Sequence, residues 1–273
     1  MSDIFGIDFT STPNQRKQIT CLFAQLEGDI LNVQALWRWS SLEDFEHFLQ
    51  RPGPWVAGMD FPFGMARRFI ETSHWPTTWS DYVGMVARWD RAYFRQQLDD
   101  YRAARPAGDK EHRRHADVLS GAISPQKLYG TPVGLMFFEG APRLLASGLN
   151  LPGLRDNRDS RIGLECYPAL LARRYIGRTP YKQDDRAKQT TAQLRARQML
   201  WQQLQSDQLV KDYGIRLHAE AGVIDDPSGD AIDALLCAIQ AAWAARQGAP
   251  HFGQPDTVDP LEGWINDPLL SVN

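Results

Sequence analysis

The amino-acid sequence predicts an α/β fold in which helices flank both faces of a mixed five-stranded sheet, with a helical insertion. Short apolar runs of strand length fill most of the first 60 residues. Longer segments with apolar residues at helical spacing separate the later strand candidates. The chain has 273 residues, of which 43% are hydrophobic and 23% charged, enough to bury a full core. We therefore expect one domain over residues 1–273.

Three apolar runs near the amino terminus predict a β-meander. They cover residues 4–9, 18–26 and 30–37, and turn-forming residues separate them. Ser41, with an acidic residue three positions later, predicts the start of a helix. A fourth strand is predicted over residues 55–60.

The middle of the chain, about residues 65–155, is rich in arginine and mostly helical in pattern, so we expect the helical insertion there. Its longest helical pattern covers residues 82–104. A fifth strand is predicted over residues 161–166, and Pro168 suits the first turn of the helix that follows. Two more helices are predicted over residues 186–204 and 230–245.

Charge is spread unevenly along the chain, although the net charge of −3 excludes a polycation that coats nucleic acid. Residues 155–197 hold eleven Arg and Lys against five Asp and Glu, whereas residues 218–273 hold one against nine. The contrast fits solvated helix faces, or a phosphate-facing basic lobe beside an acidic cluster. The three cysteines lack a metal-binding spacing and no apolar stretch is long enough to span a membrane, so we expect a cytoplasmic protein with reduced thiols.

Several carboxylates stand where packing alone favours other residues. Asp8 lies in the first strand and Asp60 ends the fourth, while Glu165 lies inside the fifth. Asp233 lies in a helix that is apolar nearly all round, which is typical of a buried helix. Asp230, three residues earlier, shares nearly the same helix face.

Converging carboxylates need a positive partner, because two such charges about 4 Å apart repel by roughly 4 kcal/mol at an effective dielectric of about 20. No Arg or Lys adjoins Asp8, Asp60 or Asp233 in the sequence, nor Glu165. A divalent cation is the simplest neutralising group, and ligands that are all oxygen favour Mg²⁺ or Mn²⁺ over zinc. The alternatives are turn roles for the strand-end aspartates, a salt bridge from Glu165 to an arginine of the next helix, and an N-cap role for Asp230.

Four short motifs occur in a fixed order along the chain, with two more between them. They are residues 6–10 (GIDFT), 59–64 (MDFPFG), 165–168 (ECYP) and 230–238 (DAIDALLCA), with 131–140 (TPVGLMFFEG) and 180–182 (PYK). This ordered set resembles the DUF429 family, which is described as predicted nucleases with a ribonuclease H-like fold. The last motif also resembles the closing acidic motif of the RuvC-type resolvases.

The resemblance implies a ribonuclease H-like fold and divalent-metal-dependent hydrolysis of a phosphodiester, in nucleic acid or another substrate. In a two-metal scheme, one ion activates a water and the other stabilises the leaving oxygen. Asp8 would bridge both ions, and whether Asp60 or Glu165 holds the primary position stays open because the chain offers both. The expected metal ligands are Asp8, Asp60, Glu165, Asp230 and Asp233, and all but Asp230 are also expected to be catalytic.

Three polar residues are candidates for binding the substrate. Lys182, in the basic region, is placed to contact a scissile or flanking phosphate as a point charge. Thr10 and Ser11 offer hydroxyl donors to a phosphate. The alternatives are a solvated surface lysine and a turn shaped by the two hydroxyl residues.

Two other functions stay open. An actin-like ATP-binding phosphotransferase shares the sheet and the Gly-x-Asp of the first strand, but it needs a glycine-rich second phosphate loop. Residues 61–64 offer few free N–H groups because Pro62 has none. The third reading is a non-catalytic module that binds nucleic acid or an ion and keeps the acidic cluster as a structural site.

Overall fold

The computed structural model describes residues 1–271, apart from the side chain of Arg186, so the last two residues of the predicted domain lie outside it. A mixed six-stranded sheet runs in the order β5-β4-β1-β2-β3-β6. The strands are β1 (Ser2–Asp8), β2 (Ile19–Glu27), β3 (Ile30–Trp39), β4 (Trp55–Met59), β5 (Arg161–Glu165) and β6 (Arg216–His218). The first three pair antiparallel, whereas β4 runs parallel to both β1 and β5.

Helices cover both faces of this sheet, so the predicted α/β architecture with a mixed sheet is confirmed. Five of them, α2 to α6, fall between β4 and β5 in the chain. The helices within residues 1–271 are α1 (Leu42–Leu49), α2 (Arg67–Thr72), α3 (Trp79–Val86), α4 (Arg91–Ala103), α5 (His115–Ser120), α6 (Val133–Ser147), α7 (Pro168–Ile176), α8 (Thr191–Leu204), α9 (Asp207–Tyr213) and α10 (Asp230–Gln247).

The strand count is a correction to the five-stranded prediction. The sixth strand, β6, has three residues and pairs parallel with the outer edge of β3. Of these three, Leu217 alone is buried, so the run is too short and too polar to show the alternation by which strands are recognised.

Side-chain caps also move two predicted helix boundaries. The single helix predicted over residues 82–104 is two helices in the structure. The side chain of Asp90 accepts a hydrogen bond from the N–H of Tyr93 and caps the start of a new helix, α4. Likewise, α8 begins at Thr191 because Thr190 and Gln193 form a reciprocal capping box. The predicted cap at Ser41 and the proline in the first turn of α7 are both confirmed.

Alternating side chains of the strands build a separate apolar core on each face of the sheet. Ile4 packs in the core that contains α10, α7 and α8, whereas Phe5 and Ile7 pack in the core that contains α1, α3 and α6. This alternation is the period of two that a strand imposes.

Helix α10 lies directly against β1 and β4, because each of these strands has a glycine at the contact. A Cβ atom on Gly6 of β1 would lie 1.9 Å from the carbonyl oxygen of Ala234. A Cβ atom on Gly58 of β4 would lie 2.5 Å from the carbonyl oxygen of Cys237. The two glycines therefore set the distance between the sheet and α10.

We expect Gly6→Ala to lower the free energy of unfolding by about 3 kcal/mol, because the added methyl group meets helix backbone that cannot move aside locally. Gly84→Ala in α3 is the matched control, since its Cβ would make an ordinary 3.7 Å contact with Leu145. That variant should be neutral or more stable by up to about 1 kcal/mol. Urea unfolding measures both, and equal stability of the two variants would contradict the close-contact account.

Candidate metal centre

Three aspartates converge where β1 and β4 end. Asp8 is the last residue of β1, Asp60 follows β4, and Asp233 lies in the first turn of α10. Because β1 and β4 are parallel neighbours, their ends lie side by side, and the N–H of Asp60 donates to the carbonyl of Ile7 at 2.9 Å. One carboxylate oxygen from each aspartate lies within 4.8 Å of the others, so the three form a group that can hold a metal ion.

Burial and mutual repulsion disfavour the charged form of two of these aspartates. Burial raises the pKa of Asp8 well above its ordinary value, and the charges of Asp230 and Asp233 raise it further. Burial, and next the charge of Asp233, raises the pKa of Asp60 to about 7. In the absence of a cation, the site therefore tends to hold protons.

Two neighbouring residues bind Asp233, the most buried member. The hydroxyl of Tyr181 donates to its Oδ1 at 2.6 Å, and the ammonium group of Lys182 forms an ion pair with its Oδ2. The stem of Lys182 is half exposed while its Nζ lies among carboxylates. Burial opposes the charge of Lys182, yet the field of Asp233 prevails and raises the pKa of the lysine well above its ordinary value.

Lys182, the predicted phosphate contact, therefore forms an ion pair inside the acidic cluster. No Arg or Lys adjoins these aspartates in the sequence, but the fold brings Lys182 into contact with Asp233. Lys182 and Asp233 are 51 residues apart in the chain. The ammonium group of Lys182 pairs with Asp233 alone, so Asp8 and Asp60 are left to hold protons or to bind a cation in their place.

Asp230, also a predicted ligand, is held outside the group of three. Its Oδ1 accepts from Nζ of Lys17 at 2.7 Å, and Lys17 also pairs with Asp184 at 2.9 Å. Gly229, with a positive φ of 79°, occupies the N-cap position of α10. The alternative N-cap role for Asp230 is therefore wrong, and its side chain faces Lys17 instead.

Glu165 is bound by a buried arginine and not by the aspartates. The guanidinium of Arg114, at the start of α5, donates to both carboxylate oxygens of Glu165 at 2.5 and 2.7 Å, and also to Asp117 at 2.7 Å. The N–H of Phe63 donates to Glu165 at 2.8 Å. A salt bridge was an alternative for Glu165, but its partner comes from α5 and not from the helix that follows. Glu165 thus holds the loop after Asp60 in place.

The two hydroxyl residues lie near Asp8 but differ in their surroundings. Ser11 is buried, and Arg91 donates to its carbonyl at 3.0 Å and to its Oγ at 3.4 Å. Both residues line a cavity with Asp8 and Asp60, but Thr10 is less buried and is not contacted by Arg91. Thr10 is therefore the freer of the two to meet a ligand.

Two cavities meet at the carboxylates. We name the first the polar cavity, of about 450 Å³, and the second the central cavity, of about 220 Å³. Asp60 and Lys182 line both of them, so a ligand can approach the aspartates from either side. The polar cavity is also lined by Asp8, Thr10, Ser11 and Lys17, and the central cavity by Phe61, Arg114, Glu165, Tyr167 and Asp233.

Comparisons of the chain with protein-family models, with curated proteins and with solved structures returned no match. The resemblance to the DUF429 family stays a prediction. In the part of the chain that the structure describes, no helix combines the length and apolar character needed to cross a membrane.

Sequence reasoning missed Lys17, Tyr181 and Arg114 as members of this region. The PYK motif at residues 180–182 contains Tyr181, but the prediction drawn from this motif concerned the neighbouring lysine. No sequence signal marks Arg114, because it lies in a basic run, yet it is 2% exposed and makes the densest set of ionic contacts near the site.

The raised pKa of Asp60 predicts how stability depends on pH when divalent cations are absent. The folded chain keeps a proton on Asp60 that the unfolded chain releases, so folding weakens as pH rises from 3.8 to about 7. Asp60→Asn removes this loss, and its stability advantage over the wild type should grow across that window. Thermal unfolding in EDTA at several pH values measures it.

Asp99→Asn is the matched control for this pH series, because Asp99 is exposed on α4. Its difference from the wild type should stay constant between pH 5 and 7, which lies within the window predicted for Asp60. An Asp60→Asn advantage that is equally flat would show that Asp60 ionises like an exposed carboxyl.

A metal titration separates the group of three aspartates from Glu165. A cation at about 100 times its dissociation constant should stabilise the wild type by roughly 2.7 kcal/mol. Asp233→Asn should lose most of that gain. Glu165→Gln should keep it while lowering the unfolding free energy by about 3 kcal/mol, because Arg114 loses a buried charged partner.

Melting curves in EDTA and in Mn²⁺ measure both quantities. If Glu165→Gln loses the Mn²⁺ gain and Asp233→Asn keeps it, Glu165 is the ligand and the assignment made from geometry is wrong.

Proposed function

We propose that this protein is a nuclease, a phosphodiester hydrolase that depends on Mg²⁺ or Mn²⁺ and has a ribonuclease H-like fold. The observation that carries the proposal is the convergence of Asp8, Asp60 and Asp233 at the ends of β1 and β4. The antiparallel β1–β3 followed by parallel β4 and β5 supports the fold that the sequence motifs imply.

The donor set fits a hard divalent cation. All three ligands are carboxylate oxygens, which Mg²⁺ and Mn²⁺ prefer, and none of the cysteines belongs to the group. Among the described side chains, no hydrogen bond reaches the carboxylate oxygens of Asp8 or Asp60. Both aspartates line the polar cavity, so carboxylate oxygens that take no donor from the protein are open there to a positive ligand.

The residues around the aspartates suit an anionic substrate. A divalent cation held by Asp8, Asp60 and Asp233 would supply Lewis acidity for activating a water and offsetting charge on the phosphoryl oxygens. Lys182 lies against Asp233 and lines both cavities, so its ammonium group is placed to turn from the aspartate to a phosphate oxygen. Tyr181 keeps its hydrogen bond and fixes the orientation of Asp233.

The loop after Asp60 disfavours the ATP-binding alternative. Its Pro62 has no N–H, and the N–H of Phe63 is already given to Glu165 at 2.8 Å. Few backbone donors are left to cradle a phosphate.

One observation favours a non-catalytic module as the second candidate. The Lys182–Asp233 ion pair neutralises part of the acidic cluster without any metal. In a protein that binds nucleic acid or an ion without catalysis, the ion pair between Lys182 and Asp233 would stay intact.

We expect hydrolysis of a fluorescent oligonucleotide in Mn²⁺, with none in EDTA. Asp8→Asn should reduce the rate about 100-fold or more, which corresponds to about 2.7 kcal/mol of transition-state stabilisation. Asp3→Asn is the control, because Asp3 lies on the same strand and its carboxylate accepts a hydrogen bond from the side chain of Gln25. Product gels measure the rate. Mn²⁺ stabilisation without cleavage would favour the non-catalytic module, and stabilisation by ATP would favour the phosphotransferase.

A further inference from the structure

A third cavity of about 420 Å³ adjoins the candidate metal centre and carries only positive charge. Its charged lining residues are Arg173, Arg178 and Lys182, and no carboxylate of the described residues lines it. The wall comes from α7 and from the segment between Gly177 and Lys182. We name it the cationic cavity.

The two arginines of this cavity are not neutralised by neighbours. Arg178 is exposed, and neither it nor Arg173 has an ion-pair partner within residues 1–271 as far as their side chains are described. The adjacent Arg174, by contrast, is paired with Asp212. Positive charge that is left unpaired in a concave wall attracts anions from solution.

Arg173 is also held in a fixed orientation. It donates to the hydroxyl of Tyr167 at 2.9 Å and to the carbonyl of Ser120 at 3.4 Å, and its guanidinium lies 5.3 Å from the centre of the Tyr167 ring. A guanidinium placed in advance loses little conformational freedom when it binds phosphate.

The cationic cavity adjoins the two cavities that the aspartates line. It shares Lys182 and Ala169 with the central cavity, and the central cavity shares Asp60 and Lys182 with the polar cavity. The three spaces therefore adjoin one another around Lys182, which lines all of them. A single small phosphoester fills only one of these spaces.

We propose that the cationic cavity binds a phosphate of a polynucleotide strand next to the phosphate that reaches Asp8, Asp60 and Asp233. This inference rests on the proposed nuclease function and specifies its substrate as a strand of several nucleotides. Arg178 and Arg173 supply the forked donors that match phosphate oxygens. Lys182 lies between the two phosphate positions.

The test compares Arg178→Gln with Arg216→Gln. Arg216 is an exposed arginine on β6, at the opposite edge of the sheet from β5, so its variant loses the same charge far from the cleft. Anisotropy of fluorescein-labelled 12-nucleotide DNA and RNA strands, in EDTA so that nothing is cleaved, measures binding. Arg178→Gln should bind about 5- to 10-fold more weakly with a salt slope lower by about 1, and Arg216→Gln should match the wild type.

Arg178→Lys should restore most of the salt slope that Arg178→Gln loses, because lysine carries the positive charge but lacks the forked guanidinium donors. Equal binding by Arg178→Gln and Arg216→Gln would overturn the inference, as would a wild type that binds neither strand. Preference for DNA or for RNA identifies which polymer is bound, and either supports the inference.

Hydrolysis in Mn²⁺ keeps this inference distinct from the proposed nuclease activity. For a wild type that cleaves, Arg178→Gln should raise KM on the 12-nucleotide strand and leave hydrolysis of bis(p-nitrophenyl) phosphate unchanged. If both substrates are affected equally, the inference fails while the nuclease stands. If neither is cleaved but binding depends on Arg178, the nuclease fails while the phosphate site stands.

Discussion

The close contact of α10 with β1 and β4 decides where the acidic cluster forms. Gly6 and Gly58 leave no Cβ between strand and helix, so the backbone of α10 lies on the sheet. The first turn of this helix then reaches the ends of β1 and β4, where Asp8 and Asp60 lie. A larger residue at either glycine would lift the helix and separate Asp233 from its partners.

The cluster created by this contact is electrostatically unfavourable on its own. Burial raises the pKa values of Asp8 and Asp60, and the ion pair with Lys182 compensates only one of the three charges. A fold selected for stability alone would place apolar residues here. Such a local conflict between charge and burial is what functional sites in proteins often show.

A second buried ionic group stabilises the wall of the cleft. Arg114 joins Glu165 of β5 to Asp117 of α5, and Glu165 in turn holds the N–H of Phe63. This group therefore ties helices that lie between β4 and β5 in the chain to the edge of the sheet. It also fixes the loop that follows Asp60, so the position of one candidate ligand depends on an arginine 54 residues further along the chain.

The sequence alone determined the five longer strands, the capped start of α1, the buried α10 and the unusual placing of Asp8, Asp60 and Asp233, because each depends on local periodicity or on one residue type in an apolar segment. The tertiary structure decided what local pattern does not encode. Strand β6 exists only because β3 offers it an edge, and α3 and α4 separate where Asp90 caps a new helix. Lys182 lies 51 residues from Asp233 in the chain, and Arg114 lies 51 residues from Glu165. Long-range ion pairs follow from how elements pack, so only the folded chain could show which carboxylates are left free to take a metal.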